Sequence, residues 1–137
     1  MRRLLAVLAF SAMALPAADV SGIWLGNAVA GRRNLVTDFG FQFVQKDATL
    51  TGKVYLDYGS TPILNGTVEG DKLSFEIVAR EQNGNEISQT VFRFTGTIKD
   101  GEIEMKRERQ GIRNVLNAGT GFARQGAELI FKIKRLP

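Results

Sequence analysis

Three short phrases of this chain are near copies of one another: Leu50–Val54 reads LTGKV, Leu64–Val68 reads LNGTV and Phe94–Ile98 reads FTGTI. Each sets a glycine between apolar residues at strand spacing, and each lies near a turn signal, QKDA at 45–48, EGDK at 69–72 and KDGE at 99–102. Gly-Asp and Asp-Gly between alternating segments are strong two-residue hairpin signals; Lys46-Asp47 is a weaker one. A two-residue turn dictates register. Around Gly70-Asp71, Glu69 is expected opposite Lys72, Val68 opposite Leu73, Gly66 opposite Phe75 and Leu64 opposite Ile77. Around Asp100-Gly101, Ile98 falls opposite Ile103, Gly96 opposite Met105, Phe94 opposite Arg107 and Phe92 opposite Arg109. A turn at Lys46-Asp47 sets Phe43 opposite Leu50, Phe41 opposite Gly52 and Phe39 opposite Val54. Every hairpin thus sets a glycine against a large inward side chain, as a tightly curved wall with a crowded inner face requires. On the outer face Lys99 meets Glu102 and Arg93 meets Glu108, pairs of opposite charge suited to solvent.

The same alternation predicts eight strands, roughly 20–29, 39–45, 48–57, 62–69, 72–81, 88–99, 102–110 and 127–135, and no segment keeps a helical period. An antiparallel meander with one apolar face and no helix to cover it can close on itself. The fold class is therefore all-β, an eight-stranded antiparallel up-and-down barrel, wide enough inside for packed side chains or one small ligand. The tight turns all fall at one end. The longer connections, 30–38, around 58–62, 82–87 and 111–126, are expected at the other, which makes that end the mouth.

The chain of 137 residues suits one domain. Arg2 and Arg3, an apolar run from Leu4 to Phe10 and small residues after it have the layout of a secretory signal peptide. Cleavage is expected after Ala14, Ala17 or Ala18, which divides the chain into a signal peptide at 1–18 and a single barrel domain at 19–137. The run is too short to span a bilayer, and no later segment is long enough to cross one as a helix. Loss of residues 1–18 removes two of the 18 basic residues and none of the 14 acidic ones, so a net charge of +4 becomes +2. That balance gives no reason to expect a nucleic acid as partner. The chain has no histidine and no cysteine. Imidazole bases, thiolate nucleophiles and the usual transition-metal ligands are thereby excluded, no disulfide is possible, and no cofactor or metal is expected. An enzyme would have to work with carboxylate or tyrosine chemistry, for which Glu81 with Tyr55 or Tyr58 are the candidates, although Tyr55 has outward parity.

Two arginines break the pattern. Arg107 and Arg109 share parity with Ile103 and Met105 and so point inward, where an uncompensated charge is costly. Glu81 has inward parity too, near the mouth end of its strand, and offers an internal ion pair. Alternatively the two guanidinium groups hold the carboxylate or phosphate of a ligand. Its tail would touch Phe39, Phe92 and Phe94, the inward phenylalanines nearest the mouth; Phe41, Phe43, Phe75 and Phe131 belong to the core.

Gly22-Ile23-Trp24 opens the first strand. A Gly-x-Trp there in an eight-stranded meander resembles the lipocalin and wider calycin pattern. The resemblance implies that Trp24 plugs the closed end and that Arg135, with the parity of Leu129, Phe131 and Ile133, packs across it. The chain departs from typical lipocalins in its shortness, its lack of a helix after the barrel and its lack of cysteines. Residues 48–110, with phrases such as LTGKV, GDKLSF and GEIEMKRE, are also similar to small secreted bacterial β-barrel domains of undefined function. That likeness implies a barrel and a secreted or periplasmic address but no activity. The functional expectation is a non-catalytic binding protein for a small amphipathic ligand with an anionic head group. The alternative is an interaction module with a solid core that meets another protein or a polysaccharide. Oligomeric state is not specified by any of these features.

Overall fold

The computed structural model describes residues 19–30, 33–56, 59–116 and 128–137. Its strands are β1 (Gly22–Ala30), β2 (Leu35–Lys46), β3 (Thr49–Leu56), β4 (Gly59–Pro62), β5 (Leu64–Glu69), β6 (Lys72–Asn83), β7 (Glu86–Lys99), β8 (Glu102–Leu116) and β9 (Leu129–Arg135). They form one sheet in the order β2-β1-β9-β8-β7-β6-β5-β3-β4, and a further ladder between β2 and β3 closes it. All pairings are antiparallel. β4 and β5 both pair with β3 and are two halves of one wall element interrupted at Ile63. The architecture is therefore a closed eight-stranded antiparallel barrel, with no helix among the described residues.

The hairpin at Asp100-Gly101 has the register its turn dictates: Ile98 opposite Ile103, Gly96 opposite Met105, Phe94 opposite Arg107, Phe92 opposite Arg109, with Lys99–Glu102 and Arg93–Glu108 on the outside. The other two depart from expectation. The first turn is centred on Asp47-Ala48, because Asp47 takes a left-handed conformation (φ 54°) that a short polar side chain tolerates. Gly52 consequently faces Phe43, and Phe41 faces Val54. In the second hairpin Glu69 faces Lys72 and Val68 faces Leu73 as expected, but the register then shifts between Leu64 and Thr67. Asn65, also left-handed at φ 51°, lies within the irregularity. Gly66 therefore lies opposite Leu50 of β3, Leu64 lies opposite Glu76, and Ile63 rather than Leu64 is buried.

The long connections at the mouth are a second correction. Ladder pairing continues to Ala30–Leu35 and to Asn83–Glu86, so β6 and β7 join through Gly84-Asn85 alone. β8 runs on to Leu116, and residues 117–126 of the last expected loop lie outside the described residues. Polar residues such as Gln82 and Asn83 lack the apolar alternation that marks a strand, yet a backbone ladder does not need it.

Inside, the turn end is filled by Trp24, Phe43, Leu50, Val68, Leu73, Ile103 and Ile133, and the middle by Phe41, Phe75, Phe94 and Phe131, all buried. The rings meet across the barrel. Phe39 stacks on Phe131 at 4.5 Å and Phe75 on Phe94 at 5.0 Å, while Phe41 meets Phe94 edge-on at 5.6 Å. Such pairs contribute about 0.5–1.5 kcal/mol each beyond their burial. Towards the mouth the inward positions become small, with Ala28, Ala79 and Thr90.

Candidate functional site

The base of the barrel is formed around Trp24 and Arg135. Trp24 and Arg135 are partners across β1 and β9, and the guanidinium carbon lies 4.9 Å from the centroid of the buried indole ring. The indole N–H donates to the Val20 carbonyl at 2.8 Å. The Val20 N–H donates in turn to Gln45 Oε1 at 2.9 Å, and Val20 is itself buried under the barrel. Arg135 Nη2 donates to the Asp19 carbonyl at 2.5 Å. The Asp19 carboxylate is held below its ordinary pKa by the Ser21 backbone N–H, then by the Ser21 hydroxyl and the charge of Arg135. Gly22, beside the stem of Arg135, sits at φ 134°, a backbone conformation that side chains rarely adopt.

At the other end the residues singled out at the mouth do come together. β8 carries Arg107 opposite Phe94 on one side and opposite Leu129 on the other. The Arg107 guanidinium carbon lies 4.7 Å from the Phe92 ring centroid and 5.7 Å from that of Phe39. That of Arg109 lies 5.3 Å from Phe92. Both arginines are half-buried, and Arg109 Nε is shielded from solvent. Phe39 and Phe92 are 4% and 5% exposed and Phe94 is fully enclosed, so the rings form the floor on which the two cations rest. The backbone of Glu81 pairs with Ser88 on β6 and β7; its side chain, and with it the expected ion pair, lies outside the described residues, as does Tyr58. Tyr55 projects outward and contacts Gln42 through its hydroxyl at 3.4 Å.

Thr90, a fully buried polar residue that the sequence reading did not single out, stands on the same inner face. Its parity with Phe92 and Phe94 was the available signal. The register slips twice beside it, between Gln89 and Thr90 and between Val91 and Phe92. Bulges of this kind occur where a strand re-aims side chains.

The outer wall carries a groove of about 490 Å³ over β5 to β9, with Ser74, Thr95 and Thr97 among its lining and Arg93, Glu104 and Lys106 beside them. Lys106 bridges Glu108 at 2.9 Å and Glu128 at 2.6 Å. These contacts, Glu128 first, raise the Lys106 pKa, and Lys106 lowers that of Glu108. Among the described residues no cluster of three or more potential metal ligands occurs, and no helix is long and apolar enough to cross a membrane. No protein-family profile, curated protein or solved structure matches this chain.

Proposed function

We propose that this barrel is a non-catalytic interaction module of calycin-like build, which meets a macromolecular partner through its rim and outer wall. The observation that carries the reading is the continuous aromatic core. From Phe43 through Phe41, Phe75 and Phe94 to Phe39 the rings touch across the interior, and Arg107 and Arg109 lie over the uppermost of them. A ligand tail entering from the mouth would have to displace packed rings, and overpacking a dense interior costs about 1–3 kcal/mol per intrusion. The missing histidine and cysteine support a non-catalytic role. The N-terminal layout of residues 1–18 supports an extracytoplasmic address for the mature domain.

A second reading draws support from the two half-buried guanidinium groups at the mouth, which suit the carboxylate or phosphate head of a small amphipathic anion. Titration with a fluorescent fatty acid separates the two. The module reading expects no saturable binding in the micromolar range. Saturable binding that is lost on replacing Arg107 and Arg109 with alanine would overturn it in favour of the second.

A further inference from the structure

The outer wall has two unlike halves. On β5 to β8 the outward charges meet their opposites across the ladders: Glu69 faces Lys72, Arg93 stands between Glu76 and Glu108, and Lys99 faces Glu102. On β9, β1, β2 and β3 the outward positions are largely apolar, and Ile23, Leu25, Val29, Val36, Tyr55 and the adjoining Leu136 are all exposed. Scattered exposed apolar residues need no explanation, but these are neighbours. The Leu136 N–H donates to the Ile23 carbonyl, and Val29 faces Val36. Leu25 and Tyr55 flank Gly40 from β1 and β3, and a Cβ on that glycine would stand 3.5 Å from the one and 3.3 Å from the other. The charges of this half are one-sided. Within these four strands the acid is Asp38, whereas Lys46, Lys53, Lys132 and Lys134 are exposed outward cations. Lys53 stands opposite Gln42 and Pro62, and Lys46, beside Asp47 of the turn, stands opposite Thr49. At the border with β8, Glu102 and Glu104 face Lys134 and Lys132. Glu102 reaches Lys134 at 3.3 Å, yet that lysine side chain is 75% exposed.

We propose that this half of the wall is a contact surface for an anionic phospholipid bilayer, on which the barrel lies without crossing it. Exposed aliphatic side chains, a tyrosine and a set of lysines match the layers of such a surface. The aliphatic groups enter the acyl boundary, the tyrosine ring suits the headgroup level, and each lysine extends its charge to a lipid phosphate. Two features favour lipid over a protein partner. All four cations are lysines, a residue depleted in protein interfaces, where arginine is enriched. The face is also the convex side of a barrel, for which a folded partner needs a matching hollow and a bilayer does not. A second copy of the chain is disfavoured by charge, since a two-fold contact would set the lysines of one face against those of the other. The contact goes beyond the interaction-module reading: it holds the barrel at a membrane surface and leaves the mouth and the β5–β8 wall for a partner.

The test is co-sedimentation of the mature protein, from Asp19 onward, with vesicles, because residues 1–18 are apolar enough to bind lipid themselves. Binding to vesicles of equal parts phosphatidylcholine and phosphatidylglycerol is expected, with little binding to phosphatidylcholine alone and loss of binding at high salt. Lys46→Gln with Lys53→Gln should weaken it about tenfold or more, the scale of two lysines at an anionic surface. Lys72→Gln with Lys99→Gln removes the same charge from the opposite wall and should leave binding near the parental value. Equal losses in the two pairs would mean attraction by net charge alone and would overturn the assignment to this face. Leu25→Gln, at an exposed position, should weaken binding several-fold. No binding to the mixed vesicles would overturn the proposal and leave an acidic protein as the occupant to test. A dimer in free solution that Leu25→Gln dissociates would overturn it in favour of a second copy. The fatty-acid titration reads the mouth and the vesicle assay reads the wall, so failure of one does not imply failure of the other.

Discussion

Replacing Gly52 with alanine should be among the most damaging single-methyl additions to this wall. Gly52 sits at φ 129°, in a region side chains rarely adopt, and a Cβ there would land on the Gln42 carbonyl oxygen. The backbone strain amounts to about 1–3 kcal/mol. The clash cannot be relieved by rotating a side chain, because Gln42 and Phe43 are pinned by ladders to β1 on one side and β3 on the other. Moving the strand apart strands at least one buried backbone group, at roughly 1–3 kcal/mol more. The sum is about 2–6 kcal/mol. For the roughly 100 described residues at ~2.1 cal/mol/K each, that lowers the melting temperature by roughly 10–30 °C. Two controls separate the causes. Gly70 is left-handed (φ 58°) with open space around it, so Gly70→Ala carries strain alone, about 1–2 kcal/mol. Gly96 has no positive φ, but its Cβ would stand 2.8 Å from Met105 Sδ and from Ile103 Cγ2. There the flexible thioether can yield, so Gly96→Ala should cost less than Gly52→Ala, and Gly96→Val about 1–3 kcal/mol. Circular dichroism melts of the variants in one buffer give the order. If Gly52→Ala melts with Gly70→Ala, the close approach of β2 and β3 is not what makes glycine necessary.

Arg135→Ala should lower stability by about 1–2 kcal/mol through loss of the cation–π contact and the bond to Asp19, and should red-shift the emission of Trp24 as its ring is uncovered. The Lys106–Glu108 contact should be pH-bounded. Glu108 is lowered from 4.5, so its contribution is present above that value and lost as pH falls through its lower folded value. Lys106 is raised from 10.5, so its contribution is present below that value and lost as pH rises through the higher folded one. The melting difference between parent and Glu108→Gln, small near neutrality for so exposed a pair, should therefore vanish in strong acid; a difference that grows there would refute the assignment. Replacing Arg107 and Arg109 together with alanine should uncover Phe92 and destabilise the fold by about 1–3 kcal/mol in a urea melt; unchanged stability would mean the cations contribute nothing to the core.

Residue parity proved more robust than residue pairing, for a physical reason. The first hairpin is shifted by two in pair sum, which changes every partner but no face, so Phe41, Phe43 and Val54 are buried although their opposite numbers differ from expectation. The irregularity at Asn65 breaks the alternation itself, which is why Ile63 turns in and Leu64 turns out. Nothing in the spacing distinguishes an Asn or Asp that stays extended from one that takes φ near 50°, since the choice depends on the twist the closed sheet imposes. The Asp100-Gly101 hairpin was readable because an Asp-Gly turn dictates its register, and the Trp24–Arg135 pair because the Gly-x-Trp phrase resembles the calycin pattern and Arg135 shares the parity of the inward residues of β9. The split of one wall element into β4 and β5 was not readable, because it follows from the interruption at Ile63 rather than from any motif.

The inward arginines follow from how the barrel is filled along its axis. Large rings pack its middle, while the inward positions above them at Ala28, Ala79 and Thr90 are small. Arginine suits such a layer: its stem packs against apolar walls while its planar head lies flat on a ring and keeps its edge towards water. Arg107 over Phe92 and Phe39, with Arg109 over Phe92, covers the aromatic column where a lipocalin-like cavity would begin. A mouth closed by cations lying on rings has little room below it for a tail.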